Sequence, residues 1–175
     1  VERSRGLGDV YKRQSETKGG ILQRTQERSH LELEAVTIAE SLKAGGYQTG
    51  FLGKWHLTNN DETHLPTDQG FDVNIAGGWK GHPRDGFFSP YRLAHLKDGP
   101  KGEYLTDRIT TEAISVLEQF SKNDTPWFVY MSYYTVHAPF HSKPEKTKKY
   151  AAKKARNPKY GGMMESMDEN IGRIL

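Results

Sequence analysis

Residues 127–134, WFVYMSYY, form a nearly continuous apolar and aromatic run, set off by the turn sequence NDTP at residues 123–126. A run of this length with so little polar alternation predicts a strand buried on both faces, as in a sheet covered by helices on each side. Its neighbours agree. Residues 105–120, LTDRITTEAISVLEQF, carry Ile109, Ala113, Val116 or Leu117, and Phe120 at helical spacing, with Thr106 as the expected N-cap. Residues 33–44 predict an earlier helix with Leu33, Val36, Ala39 and Leu42 near one face, ended by Gly45–Gly46 in a left-handed turn. A short strand is predicted over 47–52. A further helix is predicted from residue 161, with Met164, Met167, Ile171 and Ile174 on one face. Helices alternating with strands predict an α/β fold.

Composition narrows the function classes. The 175 residues suffice for one domain with a real core. Twenty-five basic against 22 acidic residues leave +3, which makes no strong case for a nucleic-acid partner. No stretch approaches the roughly 20 apolar residues of a membrane span. The sequence has no cysteine, which excludes a disulfide framework, a thiolate nucleophile and a cysteine-based zinc site. Residues 58–103 are rich in Gly, Pro, Asp and Asn, yet Phe71, Trp79, Phe87, Phe88 and Tyr91 recur through them. That pattern predicts an ordered, site-forming loop region. The basic run from Lys143 to Lys159 reads first as a solvated face, with attraction of a sulfated polysaccharide as the functional alternative.

Two predicted strands end in chemistry. Residues 50–57, GFLGKWHL, place Lys54 and His56 beyond the carboxyl end of one strand, and His137 lies just past the end of the other. Ligands of open α/β sheets gather at such ends. In an extended segment Lys54 and His56 share a face and Trp55 takes the other, so Trp55 would be the anchor and the two nitrogen-bearing side chains would address one anion. Singly, each has an ordinary structural reading: a satisfied histidine, or a lysine stem covering apolar surface.

Five motifs carry a resemblance. GKWHL, PTDQGFD at 66–72, GEYLTDR at 102–108, VHAPF at 136–140 and MMESMDENIGRIL at 163–175 resemble, in order and spacing, the type I formylglycine-dependent sulfatases of the alkaline-phosphatase-like superfamily. GGWKGHP, FFSPYR and DGPKGEYLTDR look most like bacterial arylsulfatase A-like members. The resemblance covers about residues 31–175 and implies an alkaline-phosphatase-like α/β fold with a central mixed sheet. It implies hydrolysis of a sulfate ester on a carbohydrate or aryl group. It implies that Lys54 binds sulfate oxygens, that His56 assists at the hydrated formylglycine, and that His137 binds the ester and protonates the leaving oxygen. Such roles match the physics of S–O cleavage, where negative charge grows on the bridging oxygen and fixed donors lower the barrier. Trp79, Lys80 and His82 are weaker candidates for substrate subsites, with Ser89 and Arg92 behind them; loop packing is their ordinary reading. Export to the periplasm or outside the cell is a family expectation.

The departures are equally specific. The family nucleophile, a Cys or Ser in C/S-x-P/A-x-R, has no counterpart here, since Ser89-Pro90-Tyr91-Arg92 has the wrong spacing. The Asp pair and Asp-Asn pair that bind Ca2+ in the family are also missing, and Asp168-Glu169-Asn170 reads as structural. Both formylglycine and the calcium ligands are therefore expected outside this sequence, which reads as an interior portion of a catalytic domain over residues 15–175, inactive on its own. Residues 1–14 fit nothing downstream, and residues 9–14 resemble the translation of a sequencing adapter, so they are read as a non-native tail; a disordered native terminus is the other reading. A phosphomonoesterase or phosphodiesterase of the same superfamily, or a catalytically silent relative that binds sulfated glycans, are the rival functions. Oligomeric state is not legible.

Overall fold

The structure, a computed structural model, describes residues 28–175. The tail reading for residues 1–14 lies outside the described residues. Three strands, β1 (Gln48–Gly53), β2 (Val73–Ile75) and β3 (Trp127–Ser132), form a sheet in the order β2-β1-β3. Both pairings are parallel, with Gly50 opposite Val73 and Val129. The mixed character expected of the whole sheet is not represented among these three strands. Helices α1 (Ile38–Ala44), α2 (Leu105–Phe120), α3 (Pro144–Ala152) and α4 (Pro158–Ile174) complete an α/β architecture. No helix among the described residues is long and apolar enough to cross a membrane.

β1 is central and buried along nearly its whole length. Its Leu52 joins Ile109, Ala113, Val116 and Phe120 of α2 and Met163 of α4 in the main core. Phe51, pointing the other way, packs with Ala39 of α1 and Phe71 in a smaller one. This alternation is the strand's side-chain period expressed as two cores. α2 matches its predicted span, but its N-cap is Tyr104. Thr106 sits inside the helix, buried, with its hydroxyl 2.7 Å from that of Thr135. A hydroxyl partner on the β3 side outweighs the capping preference.

Three further expectations are corrected. α1 starts at Ile38, because Thr37 and Glu40 close a reciprocal capping box: Thr37 Oγ1 accepts from the Glu40 amide at 3.1 Å, and Glu40 Oε2 from the Thr37 amide at 2.7 Å. Leu33 and Val36 therefore precede the helix and are exposed. β3 is shorter than the run that predicted it, and it is not buried on both faces; Trp127 and Tyr130 are 43% and 48% exposed. It is an edge strand of the described sheet. On α4 the buried positions are Gly162, Met163, Ser166 and Asn170, while Met164 and Ile171 are exposed. The inward face is rotated because Asn170 donates to Asp107 Oδ1 and the Ser166 carbonyl, both at 2.7 Å. The Asn of the DEN triplet thus ties α4 to α2.

The long segment 58–103 is ordered, as predicted, and contains a 3-10 turn at Pro66–Gln69 and β2. Phe71, Phe87 and Tyr91 are buried in it. The basic run 143–159 is largely α3 and its junction with α4.

Candidate active site

β1 and β3 end side by side. Gly53, the last residue of β1, has φ 107°, and a Cβ there would fall 1.8 Å from the Ser132 carbonyl oxygen. Only glycine permits this approach. The next amide, Lys54 N–H, donates to that carbonyl at 2.7 Å. The two candidate strand ends are thereby pinned together.

Trp55 is the anchor that the sequence suggested. Its ring meets Phe51 edge-on at 5.1 Å and Phe71 at 6.2 Å, and its indole N–H donates to the His64 carbonyl at 2.9 Å. The simple strand alternation does not reach His56, however. His56 is left-handed, with φ 60°, and its amide donates to the Gly78 carbonyl at 3.0 Å. A non-glycine residue holds this conformation at a cost, when its surroundings over-determine it. Here the surroundings are the 77–86 loop: the His56 ring lies against the α-carbon of Gly81.

The same loop reaches the second strand end. His82 stacks on His137 with ring centroids 5.0 Å apart and planes 8° from parallel. His137 Nδ1 lies 2.6 Å from the Ala138 carbonyl oxygen. A carbonyl only accepts, so Nδ1 carries the hydrogen and Nε2 is left as the nitrogen that can gain or lose a proton. Burial, followed by the nearby His137, Arg84 and Lys54 charges, pushes the His82 imidazole below its ordinary value. Lys54, His82, His137 and Arg84 therefore share one electrostatic neighbourhood, with His56 against the residue that precedes His82.

The other candidates separate. Arg84 lies over the Trp79 ring, its guanidinium carbon 5.3 Å from the centroid. The Lys80 ammonium donates to the Arg92 carbonyl. Ser89 is buried and donates to the Gly99 carbonyl at 2.6 Å, and Arg92 faces Asp85 at 3.4 Å, so both belong to loop architecture. Sequence reading missed Gly81 and Arg84. A glycine between two candidate residues, in GGWKGHPRDG, was the available signal.

This neighbourhood is rich in cations and imidazoles, a donor set that repels a hard dication seeking oxygen ligands. Among the described residues no three His, Asp or Glu side chains converge as a metal ion requires. These described residues do not fit the Ca2+ that the resemblance implies, whose ligands are expected elsewhere.

The layered α/β arrangement, with its parallel strands ending side by side, has the alkaline-phosphatase-like fold of its structural neighbours. The chain belongs to the Sulfatase family, whose model matches residues 7–175. It is 24% identical to a sulfatase of Formosa agariphila over 85% of this chain and 35% of that protein. To an ulvan-active sulfatase of the same organism it is 34% identical over 68% of this chain and 24% of the relative. Among solved structures it resembles Ps i-CgsB in complex with k-i-k-neocarrahexaose, at 25% identity and a TM-score of 0.66, covering 85% of this chain and 37% of the other. The chain spans about a third or less of the length of these relatives.

Proposed function

We propose that this chain is the sulfate-holding and proton-handling part of a sulfuric ester hydrolase. The observation that carries the reading is the convergence of Lys54, His82 and His137, beside His56, at two pinned strand ends in a chain of the Sulfatase family. Lys54 neutralises sulfate oxygens. His137, its Nδ1 hydrogen held by Ala138, presents Nε2–H as the proton for the departing ester oxygen, whose charge grows as the S–O bond breaks. His56 is the second proton-handling group. His82 and Trp79 are subsite residues; Lys80 is the weakest of these because Arg92 engages it.

A formylglycine nucleophile and a Ca2+ balancing the sulfate charge would have to come from residues other than those described. An ulvan-active relative and a neighbour solved with a neocarrahexaose support a carbohydrate as the carrier of the ester. A periplasmic or extracellular location accords with such a substrate.

The experiment is mutagenesis in the enzyme of full family length that carries this segment. His56→Ala and His137→Ala should each lower kcat on an aryl sulfate by at least about 10²-fold with an unchanged far-UV spectrum. Near-normal kcat in both would sink the assignment. Turnover of an aryl phosphate in place of the sulfate would favour the phosphatase rival.

A further inference from the structure

The loop that supplies His82 touches both strand-end histidines through consecutive residues. At Gly81, which is buried, a Cβ would lie 2.5 Å from Cε1, 2.6 Å from Nδ1 and 3.0 Å from Nε2 of His56. The backbone of Gly81 is outside the left-handed region, so alanine is not excluded by its dihedral angles. The missing side chain is the space that the His56 ring occupies. One residue on, His82 lies flat on His137. The loop is itself fixed, through the Gly78 carbonyl that accepts the His56 amide and through Gly86, whose α-carbon is packed on the His141 ring.

We propose that Gly81–His82 is a positioning element that sets both strand-end imidazoles at once, Gly81 by giving the His56 ring its place and His82 by stacking on His137. The inference rests on the sulfatase reading only for its consequence, that anion affinity depends on the ring positions. Its geometry stands alone. The charged or chargeable groups facing His82 are His137, Arg84 and Lys54, all cationic when protonated. These charges add to burial in opposing protonation of His82. An arriving dianion relieves that opposition, so sulfate uptake draws a proton onto His82 below neutral pH.

The test uses the 175-residue chain with labelled histidines, read by NMR of the ring signals, with sodium sulfate as the probe. Gly81→Ala should move the His56 ring signals, leave the thermal midpoint within a few degrees, and weaken sulfate binding about tenfold, since small misplacements at such sites cost up to about 10²-fold. His82→Ala should move the His137 ring signals. His82→Phe keeps an aromatic stack, so it should hold those signals near wild type while flattening the rise in sulfate affinity below about pH 6.5. The proposal is overturned if Gly81→Ala leaves His56 unmoved, or if His82→Ala changes neither the His137 signals nor the pH slope. If the wild-type chain takes up no sulfate while the Gly81 variant still displaces His56, the positioning element stands and the anion-site reading falls.

Discussion

Among the described residues, two clusters of basic side chains are built on opposite principles. Between α3 and α4, Lys146 is nearly buried, its side chain 8% exposed, and it meets Glu165 at 2.9 Å and also Glu169. Lys149 pairs with Glu165 at 2.7 Å, and Lys143 with Asp107 at 2.7 Å. Burial opposes the Lys146 charge, but hydrogen bonds to Glu169 and Glu165 outweigh it and push the ammonium above its ordinary value. At the strand ends the sign reverses. Burial first, and then the nearby His137, Arg84 and Lys54 charges, lower the proton affinity of His82. Matched charge consolidates a helix pair. Like charge gathered by a fixed backbone favours an anion that comes from outside. Residue type alone does not separate the two cases; the neighbours do.

The largest effect that would sharpen this contrast is expected at Lys146. Removing one partner of a buried pair commonly costs about 3–5 kcal/mol. Here Lys149 still faces Glu165, and Glu169 is half exposed, so Lys146→Met should cost about 2 kcal/mol, measured by urea unfolding with an unchanged m-value. A loss below about 0.5 kcal/mol would put this cluster with ordinary surface pairs and dissolve the contrast.

A smaller effect belongs to Glu165. Hydrogen bonds from Lys149 and then Lys146 hold its carboxyl down at about 2, against 4.5 for an ordinary glutamate. The folded value is depressed, so its contribution is complete above about pH 4.5 and is lost as the pH falls toward 2. In Glu165→Gln the acid limb of the stability curve should flatten by on the order of 1 kcal/mol, after allowing for solvent screening. Parallel acid limbs in the two proteins would show that the pairs are screened to insignificance.

Much of this was legible in the sequence, and the misses share a cause. The span of α2 was readable because its apolar period and its buried face coincide, although its cap was misassigned to Thr106. The anchor Trp55 and the strand end before Lys54 were readable because a glycine punctuates an apolar run, whereas β3 stops at Ser132, well before His137. The start of α1 was misplaced because local capping by Thr37 and Glu40 overrode an apolar pattern that continued upstream. On α4 a polar residue, Asn170, took the inward position, and no hydrophobic period can announce a buried amide. The role of Gly81 was missed for a deeper reason: its place between Lys80 and His82 hints at a close approach, but the ring it admits arrives from beyond β1.

The smallest expected effect tests the strand-end cluster directly. His82 binds its proton less readily in the folded chain than at its ordinary value of 6.5. The unfolded chain therefore holds more protons in the window just below 6.5. Stability is complete above that value and declines as the pH falls through the lowered folded value. His82 is only partly shielded from solvent, so its share should stay below about 1 kcal/mol. Other histidines titrate in the same range, which makes the useful quantity the difference between wild type and His82→Phe between about pH 7.5 and 5. Wild type should lose more stability than the variant across that range, and sodium sulfate should shrink the gap, because a bound anion favours protonated His82. A gap that sulfate leaves untouched would mean that desolvation alone lowers the His82 proton affinity. The strand ends would then be a cationic surface without an anion to hold, and the opposition between the two basic clusters would reduce to a difference in burial.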